Sequence, residues 1–309
     1  ELDVATSKNT IKESIAQIYI QILYAAESVR VNENTLQVSI AQRDRGQELL
    51  NAGSIAKSDF AQLEAQVSTD RYQLVTAQAT LQDYKLLELD GENEMNVYLP
   101  KLSDENVLAP LPAKKDVYVS ALAIRPEIEA SKLNVEASEL GIDIAKSSYF
   151  PTISLSAGIG TNHTSGSDFT FGEQVKNGWN NSIGLSVSVP IFNNRQTKSA
   201  VQKAKLQRET DMLSLLDEQK ALYKTIESLW LDANSAQQRY AAANEKLRST
   251  QISYDLISEQ FNLGMKNTVE LLTEKNNLLQ AQQEQLQAKY MAILNTQLLK
   301  FYQGDKLTL

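Results

Sequence analysis

Residues able to do chemistry are sparse in this chain of 309 residues. Its one histidine, His163, sits in a polar stretch between two alternating segments, and cysteine is absent. A lone imidazole with no thiol or second histidine to partner it supplies neither a nucleophile–base pair nor a metal ligand set. Gly158-Ile159-Gly160 lies inside an alternating segment rather than ahead of a helix, so it is no phosphate-cradling loop. Asn162-His163-Thr164 matches a glycosylation acceptor by spacing alone. The charges that do stand out follow two glycines: Asp59 after Gly53, and Glu270 after Gly264 at the same spacing. Carboxylates at such turns can attract cations and form ion pairs. They make no catalytic constellation, so the sequence points to no enzyme, no metal and no cofactor.

Those turns must be held by the segments around them. Ile191 to Leu263 contains neither glycine nor proline; as one helix its roughly 73 residues, at about 1.5 Å each, would reach about 110 Å. Leu222, Ile226, Leu229, Ala233, Ala236, Tyr240, Ala243, Leu247, Thr250, Tyr254, Ile257 and Phe261 step by four and three along it, a heptad seam made shallow by its alanines. The same register runs through Ile11, Ile15, Ile18, Ile22, Ala25, Val29, Asn32, Leu36, Ser39, Arg43, Gly46 and Leu50. Both series end in matching turns, Leu50-Asn51-Ala52-Gly53 and Phe261-Asn262-Leu263-Gly264. A Gln-, Ala- and Leu-rich helix then runs to about Leu89 or to about Tyr302. This is an internal duplication, and each turn fits a helical hairpin closed by a left-handed glycine.

Between the repeats Gly91, Pro100, Pro110 and Pro112 break the pattern, and Val97-Tyr98-Leu99 and Val117-Tyr118-Val119 could each form a small strand or short helix. A helix resumes at Arg125-Pro126-Glu127 and runs to about Ser148. Two strands of about nine residues follow, the length a tilted membrane strand needs. Ile153, Leu155, Ala157 and Ile159 alternate with small polar residues in one, and Ile183, Leu185, Val187 and Val189 in the other. One face is aliphatic and the other small and polar. A barrel strand facing lipid fits that pattern; so does a hairpin lying on a soluble core. Tyr149, Phe150, Phe169, Phe171, Trp179 and Phe192 lie at the strand ends, where aromatic girdles belong. A net charge of −8 and a pI near 5.0 argue against nucleic acid as a partner. No apolar run is long enough for a membrane-spanning helix. Glu1 opens inside a helical pattern and reads as the middle of an element.

The order of Arg125-Pro126-Glu127-Ile128, Tyr149-Phe150-Pro151, Val189-Pro190-Ile191-Phe192 and the two Phe/Leu-x-x-Gly-x5-Asp/Glu tips resembles the TolC-like outer-membrane efflux family across essentially the whole chain. The resemblance implies a mainly α protein with a transmembrane β-hairpin. Its long antiparallel helices would form an α-barrel and its strands a trimeric β-barrel in the membrane. The expected segments are a first helical hairpin at 1–89, a connector at 90–120 and a helix at 121–148. After these come the β-hairpin at 149–192, the second helical hairpin at 193–303 and a tail at 304–309. The family carries a strand hairpin in each repeat, and here the first would fall before Glu1.

The resemblance further implies a passive export duct of the Gram-negative outer membrane and periplasm. It would be a homotrimer working with a periplasmic adaptor and an inner-membrane pump. Asn51, Ala52, Gly53, Ser54 and Ile55, with Asn262, Leu263, Gly264, Met265 and Lys266, match adaptor-facing tips. Asp59 and Lys266 match a pair that ties neighbouring hairpins shut. Glu270 matches a ring of acids whose mutual repulsion would raise their pKa values, and Thr273 stands where a second acid can sit. Ile153, Leu155, Ile159, Ile183, Leu185, Val187 and Val189 would face outer-membrane lipid. A soluble coiled-coil structural scaffold or adaptor is the alternative.

Overall fold

The computed structural model describes residues 1–88, 107–166 and 168–307. Its elements run α1 (Leu2–Asn51), α2 (Lys57–Glu88), α3 (Lys114–Ile124), α4 (Pro126–Ser147), β1 (Thr152–Gly160), α5 (Phe171–Asn177), β2 (Asn180–Ser188), α6 (Gln196–Asn262) and α7 (Thr268–Gln303). The chain divides into two compact units, Glu1–Glu129 with Gln219–Leu309, and Ala130–Glu218. The division cuts α4 and α6 within their length rather than at the loops that sequence patterning favours. Leu89, Gly91, Val97-Tyr98-Leu99 and Pro100 lie outside the described residues.

In the first unit, α1 and α2 form one helical hairpin, and α7 pairs with the C-terminal part of α6 to form the other. Helix-favouring Ala, Gln, Leu, Lys and Glu fill them, and threonines inside them return their hydroxyls to the carbonyl one turn back, as Thr35 does to Val31 and Thr250 to Lys246. Every position of the α6 seam from Leu222 to Phe261 is buried or half-buried. In α1 the seam is covered from Ile18 to Leu50, but Ile11 and Ile15 are exposed. There the covered face moves to Ala16 and Ile20.

The main core joins Ile20 and Leu23 of α1, Ala236 and Tyr240 of α6, and Leu286, Tyr290, Ile293 and Leu298 of α7. The connector is sewn onto it. Val107 is buried in that core, Gln237 donates to the carbonyls of Val107 and Ala109, and the Trp230 indole donates to that of Pro112. Val117-Tyr118-Val119 falls in α3 and is not a strand, because Val117 and Ala121, one turn apart, are both fully buried.

At the junction of α3 and α4, Arg125 is buried against the Tyr302 ring, 3.6 Å from its centroid, and donates to Glu13 at 2.9 Å. The motif residue thus ties α1 to the end of α7. Gly304, at φ +111, ends α7 in the left-handed region.

In the second unit β1 and β2 form a two-stranded antiparallel sheet. Ile153 lies opposite Val187, Leu155 opposite Leu185 and Ala157 opposite Ile183, while Ser154 faces Ser186 and Gly158 faces Ser182. Aliphatic residues therefore meet on one face and small polar ones on the other, as alternation predicts. Val189 falls just past β2, where Pro190 restricts it and supplies no N–H to a ladder. The inter-strand loop carries a short helix, α5, that polarity alone did not suggest. A reciprocal capping box between Thr170 and Glu173 starts it. Asn194 and Arg195 both have positive φ, which delays the start of α6 to Gln196.

Candidate functional site

The two tips are built by one backbone device. Gly53 and Gly264 each have φ +74, a left-handed conformation that only glycine adopts without strain. Gly53 N–H bonds the Leu50 carbonyl and Ser54 N–H that of Leu49. Gly264 N–H bonds Phe261 and Met265 N–H bonds Gln260 in the same pattern. Asn51, Ala52, Gly53 and Ser54 are exposed with Ile55 half-covered, and Asn262, Leu263, Gly264 and Met265 are exposed with Lys266 half-covered. Exposed Leu263 and Met265 give the second tip an apolar end that Ala52 and Ser54 do not give the first.

The tips belong to one packed end of the unit. Leu63 of α2, Phe261 of α6 and Leu271 of α7 form a small core with Leu49, Tyr254, Ile257 and Leu272 around it. Gln42 donates to the Tyr254 hydroxyl at 2.8 Å, and Arg45 reaches the Asn262 carbonyl at 3.4 Å, complementing the C-terminus of α6.

Within the single chain the tip charges take local partners. Within the chain Lys266 pairs with Glu270 at 2.5 Å, and Asp59 accepts from the Ala56 N–H at 3.3 Å. The structure does not bring Asp59 and Lys266 together: a partner one turn along its own chain is nearer than one on another hairpin. Glu270 also accepts from the Asn267 N–H while Asn267 accepts from that of Glu270, a complete capping box. The hydrogen bond from Lys266, followed by that from the Asn267 backbone, holds the Glu270 carboxyl below its ordinary range. The rise expected of a ring of acids would come from carboxylates of neighbouring copies. Thr273 bonds the Val269 carbonyl on an exposed surface.

His163 contacts Gln174 at 3.1 Å and lies edge-on to Phe171, an arrangement that organises the inter-strand loop. Among the described residues no group of three His, Cys, Asp or Glu could hold a metal, and no helix is long and apolar enough to cross a membrane.

Sequence patterning passed over one cluster beside the tips. Asp70, Lys275 and Ser39 are buried together, although their signal was present. Leu63, Val67 and Asp70, like Leu271, Lys275 and Leu278, step by four and three, which places a charge on each covered face.

Comparisons with known proteins bear on the family and the fold. The model of the outer membrane efflux protein family matches residues 117–304. The chain is 25% identical over 288 residues to the outer membrane efflux protein BepC of Brucella suis, covering 93% of this chain and 61% of that protein. It is 25% identical over 305 residues to the outer membrane protein TolC of Escherichia coli, covering 94% and 60%. The chain thus spans about three fifths of the length of these relatives. In fold it superposes on the outer membrane protein VceC from Vibrio cholerae with a TM-score of 0.78 at 17% identity, covering 100% of this chain and 73% of that one. The chain belongs to the outer membrane efflux protein family, whose members reside in the Gram-negative outer membrane.

Proposed function

We propose that this chain is the channel part of an outer-membrane export duct, a homotrimer whose strands join a shared β-barrel and whose helical hairpins line a periplasmic α-barrel. Substrate would arrive from an inner-membrane pump through a periplasmic adaptor seated on the tips. It would pass a gate formed around Asp59, Lys266, Glu270 and Thr273, and leave through the barrel. No bond is made or broken; the pump supplies the energy.

The observation that carries this reading is the aliphatic face of the β-hairpin. Ile183 is 83% exposed and Leu185 71%, with Ile153, Leu155, Ile159, Val187 and Val189 exposed beside them. A two-stranded sheet is marginal in water, and this one lays its apolar face on no core among the described residues. Lipid on that face and further strands at both edges would satisfy it. The soluble scaffold lacks a place for that face.

Liposome flotation separates the two. The wild-type chain should float with the vesicles and need detergent to stay monodisperse. Ile183→Lys with Leu185→Lys should abolish flotation, since a lysine at mid-membrane on a barrel costs about 2–4 kcal/mol. A wild-type chain that stays monodisperse without detergent and ignores vesicles would refute the duct.

A further inference from the structure

Three helices meet at one buried charge cluster in the first unit. Asp70 of α2 is 1% exposed, Lys275 of α7 3% and Ser39 of α1 2%. The Lys275 ammonium donates to both the Asp70 carboxylate and the Ser39 hydroxyl, and Ser39 donates to Asp70. The other carboxylate oxygen accepts from Gln66 at 2.9 Å. Lys275 is flanked on its own helix by buried Leu271 and Leu278, and Asp70 by buried Leu63 and Val67.

The duplication supplies an internal control. The positions corresponding to Ser39, Asp70 and Lys275 in the other repeat are Thr250, Ala281 and Glu64. Thr250 bonds its own helix, Ala281 is fully buried and apolar, and Glu64 is exposed. A repeat of this kind packs without the cluster, so the cluster is not a general requirement of these hairpins.

A buried ion pair adds little stability over a well-packed apolar pair, but separating its members in an apolar setting is costly. Its effect is to select one arrangement. Sliding α7 by one turn, about 5.4 Å, would pull the Lys275 ammonium from both acceptors. Burial lowers the pKa of Lys275, although Asp70 opposes the change, so its charge depends on that partner.

We propose that Lys275, Asp70 and Ser39 form a register lock that fixes α7 axially and rotationally against α1 and α2, so that the second tip moves only together with the first. Lys275 lies about one and a half turns beyond Glu270, close enough for the lock to set where the tip acids stand. That last consequence rests on the reading of the tips as a gate; the lock itself does not.

The test compares Asp70→Asn, Lys275→Met and the double variant Asp70→Leu with Lys275→Met, in the full chain in detergent. Each single variant should shift the unfolding equilibrium on the order of 100-fold toward the unfolded state, because one charged or polar partner is left buried alone. The apolar double variant should recover most of that shift. Hydrogen exchange supplies the readout that simple packing would not move. In the double variant, amides of α7 between Leu271 and Leu279 should exchange at least tenfold faster at near-wild-type global stability, since apolar side chains do not fix register. Wild-type protection there would overturn the lock. Faster exchange with unchanged bilayer conductance would uphold the lock and overturn the tip gate.

Discussion

The two helical hairpins turn through the same backbone geometry and are finished by different side chains. Both tips keep a glycine at φ +74 and the same pair of turn hydrogen bonds. Around that frame the residues diverge. Asn267 and Glu270 cap α7 reciprocally, whereas Ala56 stands at the matching place before α2, and Asp59 can serve only its own half of the box. Along the seams, Gly46 in α1 corresponds to Ile257 in α6, and Leu63 in α2 to Glu274 in α7. The difference shows which constraints survive duplication. A left-handed turn has almost no side-chain substitute for glycine, whereas a cap contributes only about 1 kcal/mol and is free to drift.

The sharpest way to break the comparison is to give the first hairpin the second's side chain. A Cβ on Gly46 would come within 2.3 Å of the Leu63 side chain, itself almost wholly buried, so α1 and α2 approach closely there. Gly46→Ile should destabilise the chain by about 3 kcal/mol through overpacking, and Leu63→Ala should restore part of the loss by making room. Denaturant unfolding followed by circular dichroism measures both. A neutral Gly46→Ile would mean that the two seams are interchangeable after all.

A smaller exchange concerns the caps. Asn267→Ala should lower stability by about 1 kcal/mol, and Ala56→Asn should raise it by about 0.5–1 kcal/mol by completing the first box. The same unfolding curves report both. If Ala56→Asn gives nothing, the first tip is constrained by something other than its missing cap.

Much of this was legible in the sequence because period and glycine spacing are local signals. The covered seam, the two turns and the face-sorted strands all follow from them. The rest was decided by tertiary contacts. Val117-Tyr118-Val119 suits a strand or a helix, and the packing of the connector onto α6 makes it α3. Ile11 and Ile15 continue the heptad step, yet the covered face of α1 shifts there to Ala16 and Ile20. Within the chain Lys266 takes Glu270, four residues on in the first turn of α7, a pairing that the tip motif alone did not suggest. Asp70 and Lys275 sit on recognisable apolar faces, but only the docking of three helices shows that they meet.

The least disruptive probe is pH, and it addresses the charge pair that only the second tip possesses within the chain. Lys266 and the Asn267 N–H hold the Glu270 pKa below its unfolded value. For a carboxyl depressed in this way, the stabilisation is fully present above the unfolded pKa, near 4.3, and is lost as pH falls through the lower folded value. Wild type should therefore exceed Glu270→Gln in stability by a constant margin above about pH 5, and the margin should close in the acid range below the unfolded pKa. Glutamine keeps the capping geometry, so the difference isolates the charge. Because the pair is exposed, the margin should be small and should shrink in high salt. If carboxylates from neighbouring copies crowd Glu270 in an assembled trimer, repulsion would oppose Lys266 and move the closing point upward. Comparing trimer with isolated chain would then show which influence governs Glu270.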